Sequence, residues 1–496
     1  MPSPAANGDR ARVVAVAALV SLPVLVSIPL DIVPLLRGPA PYPPEWQWAF
    51  RPEGPARPLI AAAACLLGLL ALLGAAGLWV AARPTTQRAL VGGAVALGFV
   101  LQIALLARDP GSPLHTLLAR TRSRSYTSYH TVALSPEARS PTGLLRQHAD
   151  LLPTWARSAK HAATHPPGPV LFYRGLLSLC RSAPRLTEGL LAAAGLPARE
   201  FPPPATRPAR AAALLGALLL GFLGALAAWP IARLAAALGV EEPSATRLAL
   251  LWALLPGPAL QVPQFDQALA LPVVATAVLL LKAGQARSLP TAAGRASLAG
   301  ALGGLALFVS YGSAAFLVIA GVAVLAGVGT SLRRSTILAG VAAAVAGLAA
   351  FGLPALLGHD PARALFTALS IHRETYTAPR GYLVWLLFNP LDFALFLGLP
   401  VAVTGLLLLP EALRRVAARA VTDPITRFRL ATLTGLTCLL VLGVTRGEIG
   451  RIWIPLMPLA LVASLGDTSR PGRVESLVDG VLLGAFTVAM GSYWII

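Results

Sequence analysis

Apolar runs recur along nearly the whole chain, separated by short stretches in which arginine, proline and glycine collect. About 20 consecutive apolar residues suffice for a helix to cross the hydrocarbon core of a bilayer. The pattern predicts about thirteen spans, at 13–30, 59–82, 89–107, 209–228, 248–262, 268–283, 296–309, 313–328, 335–357, 383–409, 430–444, 451–465 and 476–493, several of them shorter than a full crossing. The first run follows Arg10 and Arg12, is long for a signal-peptide core and lacks a clean small-residue cleavage site, so it is read as a retained span. The expected fold class is therefore an all-α polytopic membrane protein with one large outer loop.

Charge orients that pattern, because short loops rich in Lys and Arg stay on the cytoplasmic side. Four such loops stand out, at 83–88, 282–295, 333–334 and 414–429. With the N-terminus inside, residues 108–168 fall outside, and reaching Lys282 inside then needs an odd number of crossings although four apolar runs intervene. Either the short run 169–180 dips in and returns, leaving Phe201-Pro202-Pro203-Pro204 outside, or 209–238 splits near Trp229-Pro230 into two passes. Both solutions put Gln264-Phe265-Asp266-Gln267, the segment 359–380 and Thr445 to Arg451 on the face that carries His165.

Composition agrees, with 56% hydrophobic residues, 12% charged and a mean hydropathy of +0.70, values that describe a chain whose main solvent is lipid. The net charge of +19 comes from arginine, with lysine only at Lys160 and Lys282. Cys65, Cys180 and Cys438 all lie in apolar stretches without a pairing or metal-ligand spacing. No phosphate loop, G-x-S-x-G elbow or H-E-x-x-H motif is present, which argues against ATP hydrolysis and against serine or zinc hydrolysis. No nucleic-acid partner is expected. Gly300 and Gly304 are spaced for a close helix–helix approach.

The candidate chemistry sits on the outer segments. The loop 108–164 holds eight basic residues against Asp109, Glu137 and Asp150, a balance suited to lipid phosphate or to acidic headgroups. It runs into His165-Pro166-Pro167-Gly168-Pro169, where the prolines hold His165 rigidly before an apolar helix whose amide donors favour an anion. Asp266 stands between apolar runs, at a depth where an unpaired carboxylate is costly and tends to be paired or functional. In Arg446-Gly447-Glu448-Ile449-Gly450-Arg451, Glu448 can pair with either arginine and leave the other for a phosphate or a sugar hydroxyl. Tyr126, Tyr129 and His130 form an aromatic cluster that either stacks on a sugar ring or anchors a helix at the interface. His372-Arg373-Glu374-Thr375-Tyr376 reads either way as well.

Together, a basic outer loop of about sixty residues ending in His165 to Gly168, an aspartate before a later span and Arg446 to Arg451 before a near-terminal span resemble the integral-membrane glycosyltransferases of the C superfamily (GT-C). Tyr382 to Phe393 and Arg446 to Trp453 look like an actinobacterial branch of these enzymes. The resemblance covers roughly 89–465, leaving 1–88 as two additional leading spans and 466–496 as a C-terminal span. It implies a GT-C-like bundle in the cytoplasmic membrane, active on its outer face. It also implies transfer of a sugar from a polyprenyl-phosphate donor to a cell-envelope glycan, lipid or protein acceptor, with a divalent cation used by some relatives. The early loop acid of that family is replaced here by Arg122-Ser123-Arg124-Ser125. Asp150 is then the expected base, with Asp266 and His165 beside it; Arg451, Arg446 and His165 are expected to hold the departing phosphate; Tyr126, Tyr129, His130 and Glu448 are expected to bind substrate. The alternatives are a non-catalytic scaffold of the same fold and a transporter or flippase of lipid-linked sugars.

Overall fold

A computed structural model describes residues 4–39, 45–55, 59–78, 84–108, 111–195, 206–329, 334–418, 423–466 and 473–496. Asp109, the Pro-rich segment 201–204, Arg83 and Arg333 lie outside the described residues.

The architecture is helical, with a single two-stranded antiparallel pairing of Ala49–Phe50 against Trp494–Ile495 among the described residues. Among the described residues, eight helices are long and apolar enough to cross a membrane, or nine when the bent pair Tyr382–Leu397 and Leu399–Ala417 counts as one span. Shorter apolar helices at Ile60–Ala76, Ser313–Val328 and Ile454–Leu465 stand beside them.

Three expected spans take other forms. The run 248–262 becomes two helices, Glu242–Trp252 and Pro256–Leu260, because Pro256 favours a helix start and disfavours helical backbone at the residue before it. The run 383–409 bends by 115° at Gly398, whose φ of +88° suits glycine alone. The run 451–465 breaks into Ile449–Ile452, Ile454–Leu456 and Met457–Leu465 at Pro455 and Pro458. The short run 169–180 forms the helix Gly168–Ser182, which is not among the candidate spans; Val170, Tyr173, Leu177 and Cys180 are buried while Arg181 is exposed. Residues Arg207–Ala237 form one candidate span of 31 residues despite Trp229-Pro230.

Several helices on the loops open with a side-chain cap followed by proline, which fixes φ where the backbone N–H would have no partner anyway. Ser140 Oγ accepts from Gly143 N at 3.1 Å, Asp360 Oδ1 from Arg363 N at 2.9 Å and Asp423 Oδ2 from Thr426 N at 2.9 Å. Within the bundle, small residues set the spacing: a Cβ on Gly300 would strike the Ala343 carbonyl, and one on Gly304 the Gly347 carbonyl. The leading helices are not a separate unit, since Ile28, Leu69 and Leu73 share one buried cluster with Leu254, Phe396 and Phe486. A second cluster, built on Leu144, Leu152, Tyr173, Leu214 and Phe265, carries the loop 108–182 on the end of the bundle.

Candidate functional site

At that end the His-Pro-Pro-Gly turn links Lys160–Ala163 to Gly168–Ser182. Gly168 must lack a side chain, because a Cβ there would collide with the Phe308 carbonyl at the end of a neighbouring helix. The turn fixes His165, whose Nδ1 donates to the His161 carbonyl at 2.8 Å. Its ring stands edge-on to Tyr129 at 5.5 Å, and Tyr129 stands edge-on to Phe265 at 5.3 Å. His165 lies deep but faces a cavity, so part of its ring stays accessible. Burial, then the neighbouring His161, pulls its pKa down to about 3. His165 is thus a neutral hydrogen-bonding ring near pH 7, not the cation expected for a departing phosphate.

Asp266 occupies the first turn of Phe265–Gly284, where unpaired backbone N–H groups favour a carboxylate. Among the described residues it has no ion-pair partner within 4.0 Å. The preceding turn is tied to the basic loop: Arg120 Nη1 donates to the Val262 carbonyl at 3.1 Å and to Tyr126 Oη at 3.0 Å, and Gln264 Nε2 donates to the Tyr126 carbonyl at 3.1 Å. Tyr126 therefore acts as a brace for the turn as well as a wall.

The segment 445–451 is held from the bent helix Tyr382–Leu397 by two side chains one turn apart. Asn389 Nδ2 donates to the Thr445 carbonyl at 2.8 Å while Asn389 Oδ1 accepts from Gly447 N at 3.1 Å. Asp392 Oδ2 accepts from Gly450 N at 2.8 Å, and its other oxygen accepts from Trp48 Nε1 at 3.2 Å. So clamped, the loop carries Glu448 in the left-handed region at φ +59°. Glu448 bridges Arg451 at 3.0 Å and Arg380 at 3.5 Å. Arg446, the other expected partner, is used up on backbone: its guanidinium donates to the carbonyls of Thr377 at 2.9 Å, Arg380 at 2.6 Å and Gly443 at 3.2 Å. Burial raises the Glu448 pKa, but Arg451 and Arg380 outweigh that and hold its carboxyl below the usual range.

Two cavities meet at this triad. One, of about 420 Å³, is lined by Asp266, His165, Tyr129 and Arg446 and by an apolar wall that includes Phe265, Tyr311, Phe316, Leu365 and Leu369. The other, of about 770 Å³, is lined by Tyr126, Trp46, Trp48 and a basic set that includes Arg120, Arg124, Arg157 and Lys160. Arg380, Glu448, Arg451, His161, Gln264 and Tyr376 line both. At the junction Arg451 Nε is buried without a hydrogen-bond partner, so a donor with its positive charge awaits an acceptor.

The expected site residues thus separate. Asp266, His165, Tyr129, Arg446, Glu448 and Arg451 border one cavity, and Tyr126 borders the adjoining one. Asp150 borders neither: its carboxylate lies at the exposed surface and accepts from Arg363 at 2.5 Å. The helix Pro141–Ser158 explains this, since Leu144, Leu145, His148, Leu152 and Trp155 fill its buried face and residue 150 falls on the opposite one. His130 also turns away, with Nε2 donating to the Ala209 carbonyl at 2.9 Å and its ring against Tyr173. Burial pulls its pKa down to about 4, so it is a neutral core histidine. Sequence reasoning missed His161, Arg380, Gln261, Trp46 and Trp48. For Arg380 the one available signal was its place on the segment 359–380 already assigned to this face.

No protein-family model, no curated protein and no solved structure matches the chain. Glu448 is occupied by two arginines, the His165 Nδ1 is turned to backbone, and among the described residues no three His, Cys, Asp or Glu side chains converge.

Proposed function

We propose that the chain is a membrane glycosyltransferase moving a sugar from a polyprenyl-phosphate donor to an acceptor, with its site on the outer face of the cytoplasmic membrane. The observation that carries the reading is the junction itself. An apolar cavity beside a carboxylate and a basic chamber share Arg380, Glu448 and Arg451, a division that suits an amphiphile with a hydrocarbon tail and an anionic head. The basic loops 282–295 and 414–429 at the other end of the spans favour the outer assignment.

In this reaction Asp266 takes the proton of an acceptor hydroxyl, whose oxygen bonds to the anomeric carbon of the donor sugar. The bond from that carbon to the phosphate oxygen breaks, and its electron pair leaves on polyprenyl phosphate. Arg451, with Arg380 across Glu448, faces the charge that grows there. Neutral His165 supplies an uncharged hydrogen-bonding edge in the cavity that Asp266 lines, and the edge-on Tyr129–Phe265 pair forms an aromatic wall there.

Proteoliposomes given a radiolabelled polyprenyl-phosphate sugar and a cell-envelope acceptor extract should form labelled product, and Asp266→Asn should lower its rate by at least about 10²-fold. Donor binding without product in the wild-type protein would replace this reading with a scaffold. Passage of intact donor across the vesicle without product would replace it with a flippase.

A further inference from the structure

The proposed transfer needs positive charge at one place, the junction, yet most of the cations in the basic chamber lie away from it. Arg120, Arg124, Arg157 and Lys160 line the chamber on its loop side, and Glu448 is the only acidic side chain among the described residues that lines it. Glu448 is already bridged to Arg380 and Arg451. Arg120 is turned to a carbonyl and a phenol, and Arg124, Arg157 and Lys160 have no carboxylate partner among the described residues. A single donor phosphate at the triad leaves these four without a counter-charge, and cations gathered on one chamber wall repel one another unless an anion comes between them.

A second observation marks the chamber as built to bind. Gln261 is 1% exposed, lines it, and its Nε2 has no hydrogen-bond partner, so a buried donor stands open to whatever fills the space. Trp46 and Trp48 stand edge to face at 5.7 Å on the same lining, and indole faces stack on sugar rings. Aromatic walls, an open amide donor and surplus cations describe a ligand that is both saccharide and anionic.

We propose that the acceptor is an acidic glycan, a saccharide chain bearing carboxylate or phosphate groups, held along Arg124, Arg157 and Lys160 with a free hydroxyl presented toward Asp266. This rests on the transferase reading, whose nucleophile it identifies.

The test is titration calorimetry on the full chain in detergent with two probes of equal length, trigalacturonate and uncharged galactotriose. Trigalacturonate should bind at least about tenfold more tightly, with the advantage shrinking as salt rises. Arg124→Gln/Arg157→Gln should erase most of that advantage while leaving polyprenyl-phosphate binding in place; both positions are exposed, so folding is not at stake. Equal binding of the two probes overturns the proposal. Loss of polyprenyl-phosphate binding in the double variant also overturns it, by assigning these cations to the donor. A protein that prefers trigalacturonate yet transfers no sugar retains the acidic ligand and fails only as a transferase.

Discussion

The Asp150–Arg363 pair and the Arg380–Glu448–Arg451 triad use the same chemical groups on the same end of the molecule, and they differ in what surrounds them. Asp150 and Arg363 keep 58% and 61% exposure, so water screens their attraction and the pair contributes about 0–1 kcal/mol. Glu448 and Arg451 keep 16% and 13%, and two cavities open onto them. Charges that far from water are tolerable only while they satisfy one another, and the buried Arg451 Nε, a charged donor without an acceptor, favours an incoming anion. Opposite charges at contact distance therefore mark no site; a buried charged donor left open at the meeting of two cavities does.

The sharpest way to break this comparison is to remove one carboxylate from each setting. Asp266→Asn should lower sugar transfer by about 10²–10⁴-fold, the usual contribution of a positioned base, with donor binding retained. Asp150→Asn should leave the initial rate within about twofold. Equal losses in the two variants, read from initial rates with radiolabelled donor, would show that the cavity is not where the proton moves.

Glu448→Gln comes next. It removes the carboxylate that bridges Arg380 and Arg451, and breaking a buried pair from one side costs about 3–5 kcal/mol. Unfolding in detergent followed by denaturant should report that loss, whereas Asp150→Asn should move the midpoint little. The pH dependence has a definite sign. Because the folded carboxyl of Glu448 is held below its ordinary 4.5, its stabilisation is fully present above that value and fades as pH falls through the lower folded value. A wild-type-like midpoint for Glu448→Gln would mean that water reaches the triad.

Much of this was legible in the chain because lipid makes hydropathy a strong signal. The spans around 13–30, 89–107, 268–283, 296–309 and 476–493 appear where apolar length foretold them, and Gly300 and Gly304 serve the close contact their spacing suggested. Spans failed where proline or glycine inside an apolar run turned the backbone without lowering hydropathy, as at Pro256, Gly398 and Pro455. Among the residues that line the cavities, Asp266, His165, Glu448 and Arg451 stood out because each interrupts or borders an apolar stretch. Arg380 and Gln261 did not, since their roles come from contacts with segments far away in sequence. The exposed placement of Asp150 was legible as well. The buried positions 144, 145, 148, 152 and 155 share one helical face, and residue 150 is two positions, roughly 200°, away from 148.

A smaller effect is expected where the helix Pro141–Ser158 meets the wall of the apolar cavity. His148 is fully buried between Trp155 and His359, with both ring nitrogens unpartnered, on a helix that packs against Pro361–His372. Burial, followed by His359, lowers its pKa from 6.5 to about 3. A depressed histidine pKa means that the unfolded chain binds the proton more readily. Its contribution is whole above pH 6.5 and erodes as pH falls from there toward 3, by about 2 kcal/mol at pH 5. Hydrogen exchange of residues 141–158 between pH 7 and 5, with exchange rates corrected for pH, should show protection falling in the wild-type protein and much less in His148→Phe. Identical profiles would place the sensitivity elsewhere.

The weakest effect completes the comparison from the exposed side. A double-mutant cycle on Asp150→Asn and Arg363→Gln should give a coupling of about 0.5 kcal/mol that disappears by about 1 M salt, where the screening length falls to about 3 Å. The same cycle on Glu448 and Arg451 should give a larger coupling that salt scarcely changes, because ions cannot enter between the two groups. The contrast in salt response is more discriminating than either energy alone, since both pairs sit at hydrogen-bonding distance and only access of solvent separates them. A salt-insensitive Asp150–Arg363 coupling would mean that this surface is covered in the working protein. It would return Asp150 to consideration as a residue that meets substrate.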